Sequence, residues 1–212
     1  MDTARLTKAI LEEAPIHIIE HMALVLTTIA IAVFIAVPAG VILTRVGYKK
    51  FANPALNMLN VFLTIPAFAF IAAAMPILGI GYKPAIVVLT LQSLLPIARN
   101  TIVGLLEVDE GLKEAAKGMG MPVRKILFEI ELPLAAPVIL NGIRTATVFV
   151  VSAATLAGFI GAGGLGVLIS KGLNLFLKEY IIIGATLGAL LAIILDRILG
   201  YIENKYTRLA CR

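Results

Sequence analysis

Apolar residues along this chain are gathered into five long blocks that short polar segments separate. Each block is close to the roughly 20 residues that a helix needs to cross the hydrocarbon core of a bilayer. Backbone N–H and C=O groups in lipid must be paired within their own segment, and no block shows the alternation of a strand. The pattern therefore predicts an all-α, polytopic membrane protein with five transmembrane helices, at about residues 22–43, 56–78, 84–106, 137–160 and 180–202.

Prolines interrupt three of these blocks. Each proline removes a backbone donor and permits a kink, which membrane helices tolerate. Routine kinking is the simpler interpretation, and a role in gating is the alternative. The prolines concerned are Pro38, Pro66, Pro76 and Pro96.

Composition agrees with a membrane protein of one domain, residues 1–212. Of the 212 residues, 60% are hydrophobic and 15% are charged, whereas soluble domains carry roughly 25% charged residues. The net charge of +5 is spread over short flanks of the apolar blocks, which argues against a nucleic-acid partner. Cys211 is the single cysteine, so the chain has no internal disulfide and no thiol metal site. The first 21 residues lack the cleavage site of a removable signal peptide.

Lys and Arg predict the orientation. If the N-terminus is outside, eleven basic residues fall inside, five fall outside, and Arg99 and Arg144 lie within spans. Cytoplasmic loops carry the excess of basic residues. The sequence thus predicts an external N-terminus, a cytoplasmic C-terminus and a cytoplasmic position for the polar segment at about 107–133.

That polar segment reads as two short amphipathic helices with a glycine elbow. Asp109 is a plausible N-cap of the first helix, and an apolar stripe follows at helical spacing. Gly118 and Gly120 then break the helix, because glycine adopts left-handed backbone at little cost. Pro122 suits the first turn of the second helix, and Pro133 is expected to end it.

The same segment carries a spaced motif. It reads Glu114-Ala115-Ala116, three residues, Gly120, nine residues, Ile130, one residue, Leu132-Pro133. This spacing resembles the EAA loop of permease subunits in binding-protein-dependent ABC importers, which implies that the loop engages a separate ATPase. A helix pair lying on the bilayer surface is the alternative, and the complete spacing favours coupling. The resemblance implies these ATPase-coupling residues: Glu114, Ala115, Ala116, Gly120, Ile130, Leu132 and Pro133.

The resemblance extends over most of residues 64–203. The stretches LLPIARNTIVGL (94–105), IELPLAAPVILNGIRTAT (130–147) and ATLAGFIGAGGLG (154–166) resemble the osmoprotectant branch of these permeases. That branch implies import of glycine betaine, choline and carnitine across the plasma membrane of a prokaryote. It also implies a core of five helices, a second permease copy or paralogue, ABC ATPase subunits and an external substrate-binding protein.

Polar residues within the predicted spans are candidates for a translocation path. An arginine at the bilayer centre costs roughly 2.5–3.5 kcal/mol on insertion scales. Arg99 and Arg144 either reach to the headgroups or line the inner mouth of the path, and the sequence leaves both open. Because the chain has no tryptophan and few aromatic residues, we expect a weakly lined path rather than an aromatic cage. The candidates are Gln92, Ser93, Arg99, Asn100, Asn141, Arg144, Thr145, Ser152 and Thr155.

Two further motifs and the absence of a third give no support for other chemistry. His17, Glu20 and His21 match an inverted zinc-protease pattern, but no convincing third ligand exists, so no metal site is predicted and interfacial histidines are the better interpretation. The G-x-G-x-x-G at 161–166 follows an apolar span and is interpreted as an external turn. No phosphate-binding loop of the G-x-x-x-x-G-K-[ST] type occurs, so we expect no cofactor, no enzymatic activity in this chain, and ATP hydrolysis by a partner.

Three alternative functions stay open at this point. The first is an ABC permease for an amino acid such as methionine. The second is a stand-alone secondary transporter or channel, whose spans should contain paired ionisable residues, and no such pairs are expected here. The third is a membrane scaffold that transports nothing.

Overall fold

The computed structural model describes residues 7–210, with side chains through residue 208, and every regular element in this part of the chain is a helix. A π-helical turn, Ala9–Glu13, leads directly into the first long helix. A second π-helical turn, Leu127–Glu131, joins α6 to α7. The helices are α1 (Ala14–Leu43), α2 (Ala52–Thr64), α3 (Ala67–Leu78), α4 (Tyr82–Leu106), α5 (Glu110–Gly118), α6 (Val123–Ile126), α7 (Leu132–Ala157), α8 (Gly166–Asn174) and α9 (Lys178–Ala210).

Helices α4 and α7 pack together at the centre, with α1 against both and α9 against α7. Glycines on these helices leave room for the neighbouring backbone, which is how membrane helices pack closely. A Cβ at Gly142 would lie 2.8 Å from the Pro96 carbonyl oxygen, and one at Gly104 would lie 3.1 Å from that of Ala135. The centre of the bundle therefore depends on close backbone approach as well as on large apolar side chains.

The bundle has two ends, and the contacts between the turns at each end show which turns lie together. At one end, Arg45 after α1 pairs with Glu131 before α7, and Tyr206 of α9 lies beside Ala115 of α5. We call this the coupling end. At the opposite, far end, a Cβ on Gly81 would lie 3.5 Å from the Gly161 carbonyl oxygen. The N-terminal part of α1 lies at the far end, and the C-terminal part of α9 lies at the coupling end.

The second apolar block differs from its prediction. Within residues 7–210, four helical stretches are long and apolar enough to cross a membrane as single helices, namely Ala9–Leu43, Tyr82–Leu106, Val123–Ile160 and Lys178–Arg208. The predicted span at 56–78 is instead two helices, α2 and α3, bent by 93° at a short break. Because α2 follows the coupling-end turn and α3 precedes the far-end turn, the pair connects the two ends as a broken fifth crossing.

Two other boundaries also differ from the sequence analysis. The second helix of the polar loop does not end at Pro133, because α6, the π-turn and α7 form one uninterrupted helix from Val123 to Ile160. The π-turn accommodates the proline, since Leu132 N–H donates to Leu127 O across five residues. Between the fourth and fifth spans, the glycine turn is followed by a helix, α8, which the prediction of a simple turn missed.

Candidate functional site

Helix α5 stands at the coupling end as a short, capped and solvent-exposed element. Asp109 is its N-cap, as predicted, and accepts a hydrogen bond of 2.6 Å from Gly111 N–H. Lys113 Nζ lies 3.0 Å from Glu110 Oε1, and the Lys113 side chain is only 12% exposed whereas that of Glu110 is 79% exposed. Glu114 and Ala115 are exposed, whereas Ala116 is buried. The helix thus presents a carboxylate and a small residue outward from a fixed base.

The elbow after α5 has the left-handed backbone that the sequence predicted. Gly120 has a φ of +79°. Its N–H donates to Lys117 O at 2.9 Å, and Met121 N–H donates to Ala116 O at 3.1 Å. These bonds satisfy the terminal carbonyls of α5, as glycine-terminated helix ends usually do. No atom lies within 4 Å of where a Gly120 Cβ would stand, so only backbone conformation requires glycine here.

An apolar groove of about 440 Å³ lies between α5, the start of α7 and the end of α9. It brings together four of the seven predicted coupling residues, Ala115, Ala116, Ile130 and Pro133, with Tyr206 at its edge. Leu132 instead packs into the apolar cluster around Leu105 and Val108. Glu114 and Gly120 lie outside the groove, one on the exposed side of α5 and the other at the elbow.

Glu131 is a coupling-end residue that the sequence analysis missed. Arg45 donates from both terminal guanidinium nitrogens to the two Glu131 carboxylate oxygens, one of these bonds being 3.0 Å long. The Glu131 side chain is only 8% exposed. Bidentate Arg–carboxylate pairs fix geometry as well as charge. This pair therefore ties the turn after α1 to the residue between the motif positions Ile130 and Leu132.

Five of the nine path candidates donate hydrogen bonds to backbone carbonyl oxygens, namely Gln92, Ser93 and Asn100 on α4 and Ser152 and Thr155 on α7. Ser93 is buried, and its Oγ donates to Leu89 O at 2.7 Å. Asn100 is half-buried, and its Nδ2 donates to Pro96 O at 2.8 Å. Gln92 is 1% exposed, and its Nε2 donates to carbonyl oxygens at the break between α2 and α3. In this conformation the three side chains on α4 do not stand on an open wall.

Four path candidates are exposed, and Thr155 is half-buried. Asn141, Thr145 and Ser152 follow one another at intervals of four and seven residues, which places them on one face of α7. Gly142 packs against Asn100, so Arg99 of α4 and Asn141 of α7 lie at the same level of neighbouring helices. An exposed polar face on a membrane helix borders water or another subunit rather than lipid.

Arg144 is neither a free headgroup contact nor an open path residue. Its Nε and one terminal nitrogen donate to Asp196 at 2.6 and 2.8 Å, and its other terminal nitrogen donates to Glu203 at 3.1 Å. Both carboxylates lie on α9, with Gly200 beneath the guanidinium. The structure therefore shows a pair of ionisable residues, Arg144 and Asp196, that joins two of the predicted spans. The partners lie 52 and 59 residues away along the chain, so local sequence gave no signal for the pairing.

The histidine motif holds the far end together. Glu20 Oε2 accepts from Gly164 N–H at 2.8 Å and lies 2.9 Å from His17 Nδ1. His21 is fully buried; its Nε2 donates to Val151 O at 3.1 Å, and its Nδ1 accepts from Leu165 N–H at 3.4 Å. His21 is therefore buried within the protein, and its level in the membrane stays a prediction. These side chains fasten α1 to the turn after α7.

A second polar cluster lies beside this turn. Lys171 of α8 lies 2.7 and 2.6 Å from the two oxygens of Glu13, and the Tyr180 hydroxyl donates to the same carboxylate at 2.8 Å. The Lys171 ammonium also stands 4.6 Å from the centre of the Tyr180 ring. Its bonds to Glu13 raise the pKa of Lys171 above the ordinary value, so the pair stays charged at neutral pH.

Comparisons with known proteins agree with this architecture. The family model described as "Binding-protein-dependent transport system inner membrane component" matches residues 36–208. The chain is 47% identical over 188 residues to the choline transport system permease protein OpuBB of Bacillus subtilis (strain 168), covering 89% of this chain and 86% of that one. It is 45% identical, over 89% of this chain and 86% of the other, to the glycine betaine/carnitine/choline permease OpuCB of the same organism. A chain in an inward-facing structure of the MetNI methionine ABC transporter superimposes with a TM-score of 0.76, at 25% identity and with full coverage of both chains.

Proposed function

This chain belongs to the family of binding-protein-dependent transport system inner membrane components, and we propose that it passes quaternary-ammonium osmoprotectants such as choline, glycine betaine and carnitine. It is the permease subunit of an ABC importer. The printed names of relatives at 45–47% identity support this solute class. Methionine import is the second candidate, because one of the solved structures with a similar fold is that of a methionine ABC transporter.

The observation that carries the coupling role is the position of the motif in the fold. Glu114 and Ala115 stand on a capped, exposed helix at one end of the bundle, and four motif residues line one apolar groove there. A short helix on which small residues follow an exposed carboxylate, as Ala115 and Ala116 follow Glu114, can enter a cleft of another protein. We propose that the ATPase subunits bind α5, and that residues 107–133 form the coupling loop.

The partners follow from what the described residues provide. Five crossings enclose little aqueous volume, and the exposed polar face of α7 is unfavourable in lipid. A second permease copy or a paralogue therefore packs against this face and completes the path. An external substrate-binding protein supplies the solute at the far end. ATP hydrolysis by the partner ATPases moves α5 and switches the paired bundles between outward-open and inward-open states.

Reconstitution tests this function. Proteoliposomes containing this chain with its ATPase and binding protein should accumulate choline, glycine betaine or carnitine when ATP is enclosed, and should not accumulate methionine. The chain alone should neither hydrolyse ATP nor accumulate solute. Methionine accumulation would favour the second candidate, and accumulation by the chain alone would contradict dependence on an ATPase.

Labelling tests the proposed orientation, in which the N-terminus is outside and the C-terminus and α5 are cytoplasmic. After Cys211 is replaced by serine, a cysteine is placed at the exposed Lys117 or at the exposed Asn174, on opposite ends of the bundle. A membrane-impermeant thiol reagent added to intact cells should label Asn174→Cys, and should label Lys117→Cys only after the membrane is opened. The reverse pattern would contradict both the orientation and the coupling role of α5.

A further inference from the structure

The Arg45–Glu131 pair joins two elements that are hydrogen-bonded on either side of it. Arg45 follows α1 by two residues, and its carbonyl oxygen accepts from Tyr48 N–H and Lys49 N–H, both at 3.1 Å. These bonds close the turn directly after the helix. Glu131 is the last residue of the π-turn within the uninterrupted helix 123–160. The pair therefore connects α1 to that helix with ordered backbone on both sides.

The geometry of the pair fixes how the two elements lie against each other. Both terminal guanidinium nitrogens of Arg45 donate to the two carboxylate oxygens of Glu131. Among the described residues, the buried Nε of Arg45 has no hydrogen-bond partner, so Glu131 is the group that compensates this guanidinium. The Glu131 side chain is almost fully buried, which leaves little room for water to replace Arg45. A bidentate pair at low exposure sets both distance and orientation.

The apolar packing beside the pair is less specific. Val37 and Val41 of α1 pack against the same cluster, around Leu105, as Leu127 and Leu132 of the helix 123–160. Hydrophobic contact is non-directional. This cluster therefore holds the two elements together, whereas the bidentate pair determines their register.

Polar contacts at the far end join the same two elements. His21 Nε2 donates to Val151 O at 3.1 Å, and Glu20 Oε2 accepts from Gly164 N–H at 2.8 Å, just beyond the helix. These contacts and the coupling-end pair lie about 36 Å apart along α1 at 1.5 Å per residue. Because a hydrogen bond is lost beyond about 3.5 Å, a displacement of about 1 Å between the two elements at either end breaks a contact.

Helix α5, in contrast, has space beside it. Cavities of about 440 and 320 Å³ border this helix, and Leu112 lines both. A third cavity of about 140 Å³ is lined by Glu110 and Lys113 of α5 together with Arg45 and Glu131. Helix α5 can therefore shift within these spaces, whereas a shift of the helix that carries Glu131 is passed to α1.

We propose that Arg45 and Glu131 are positioning residues for coupling: their pair makes α1 follow the helix 123–160, so that a movement started by the ATPase reaches α1 as well as α7. This inference rests on the proposed function and adds to it the contact through which α1 takes part. Both residues act through the position of α1 and not by touching the solute. Without the pair, ATP hydrolysis continues while the path opens less.

Paired neutral substitutions test this role without leaving a buried charge. Arg45→Gln alone strands the Glu131 carboxylate, whereas Arg45→Gln combined with Glu131→Gln removes both charges and keeps most of the side-chain volume. In proteoliposomes with the ATPase and the binding protein, solute uptake per ATP hydrolysed should fall about fivefold or more, a factor that corresponds to about 1 kcal/mol of lost interaction. Thermal unfolding and co-purification with the ATPase should match the parent. Lys50→Gln, at an exposed basic residue shortly after the same turn, is the control and should keep the parental ratio.

A distance measurement tests the connection directly and needs no solute. In a Cys211→Ser background, spin labels on Val46→Cys and Phe128→Cys, both exposed positions, report the separation of the turn after α1 from the π-turn. In the permease–ATPase complex this distance should be the same without nucleotide and with ATP bound. In the paired neutral variant it should change when ATP binds. A change in the parent, or none in the paired variant, would overturn the proposed role.

Uptake separates failure of this role from failure of the proposed function. If the parent imports choline, glycine betaine or carnitine and the paired variant keeps the parental ratio of uptake to hydrolysis, the pair is structural only and the function stands. If the parent imports none of these solutes, the proposed function fails, whereas the label distances still decide whether the pair holds α1 to the helix 123–160.

Discussion

Two glycine-rich turns, one at each end of the bundle, look alike in sequence and differ in the fold. The far-end turn at 161–166 is held by Glu20 and His21, and two of its glycines lie against other backbone. At the coupling-end elbow, residues 118–120, both glycines have open space beside them: no atom lies within 4 Å of an added Cβ at Gly118 or Gly120. Glycine is needed for space and conformation at the first turn, and for conformation alone at the second. The far end is therefore a fixed frame, whereas the coupling end keeps a surface free for a partner.

The largest expected effect is that of Gly166→Ala at the far end. A Cβ there would lie 1.8 Å from the Thr155 carbonyl oxygen, and backbone cannot move aside as a side chain can. We expect destabilisation at or above the upper end of the roughly 1–3 kcal/mol that overpacking costs. Thermal unfolding in detergent measures it. Gly188→Ala is the matched control, because its Cβ would meet only a Thr155 methyl at 3.7 Å. Equal stability of the two variants would contradict the rigid-frame interpretation.

Glu114→Ala should separate coupling from folding. The residue is exposed on α5, and substitutions at such positions usually change stability by about 0.5 kcal/mol or less. If the ATPase binds this carboxylate, solute-stimulated ATP hydrolysis should fall tenfold or more, which corresponds to about 1.4 kcal/mol. Glu107→Ala, an exposed carboxylate outside the motif, should keep parental stimulation. Stimulation of Glu114→Ala within twofold of the parent would favour an interfacial helix pair without a coupling role.

Gly120→Val tests the elbow alone. Left-handed backbone costs a residue with a Cβ roughly 1–2 kcal/mol, and no clash adds to this strain. We expect co-purification with the ATPase and uptake to weaken about fivefold or more, a factor that corresponds to about 1 kcal/mol. Membrane insertion should persist. Gly118→Val, in the helical residue two positions earlier, should bind the ATPase normally, and a normal Gly120→Val would show that the elbow conformation is not needed.

The smallest effect is expected for Lys125→Ala. Lys125 Nζ lies 3.8 Å from Glu129 Oε2, and both side chains are more than half exposed. Exposed pairs of this kind contribute about 0–1 kcal/mol, so the unfolding temperature should match the parent within error. A clear loss of stability would mean that the coupling end is held more rigidly than its exposed contacts indicate.

Local patterns were enough to predict several parts of the molecule. The apolar blocks located the four long helices, and the N-cap at Asp109 and the elbow at Gly120 followed from side-chain chemistry within a few residues. The broken span did not follow in the same way. Pro66 marked a possible kink, but the break also involves Gln92, which donates to Ile65 from 27 residues away. Likewise, the helix continues through Pro133 because the π-turn before it changes the hydrogen-bond spacing where the proline lacks an N–H. The local rule that proline ends a helix therefore fails here.

In the candidate site, too, some residues could be predicted from local sequence and others could not. The motif residues of the coupling loop lie close together in sequence and carry their own spacing, so they could be proposed from sequence alone. The pairs Arg45–Glu131 and Arg144–Asp196 join residues 86 and 52 positions apart. In the sequence these charged residues look unrelated to one another. Only the packed bundle shows which residue pairs with which.

The uninterrupted helix from Val123 to Ile160 has a mechanical consequence. Its 38 residues at 1.5 Å each make a rod about 57 Å long, longer than the membrane core is thick. Its first turns line the groove beside α5, and its last turn carries Phe159. Pivoting such a rod by about 5° at one end displaces the other by about 5 Å. If the proposed ATPase contact tilts the first turns, the last turns move by that distance, and the far-end frame that His21 fastens to Val151 moves with them as one body.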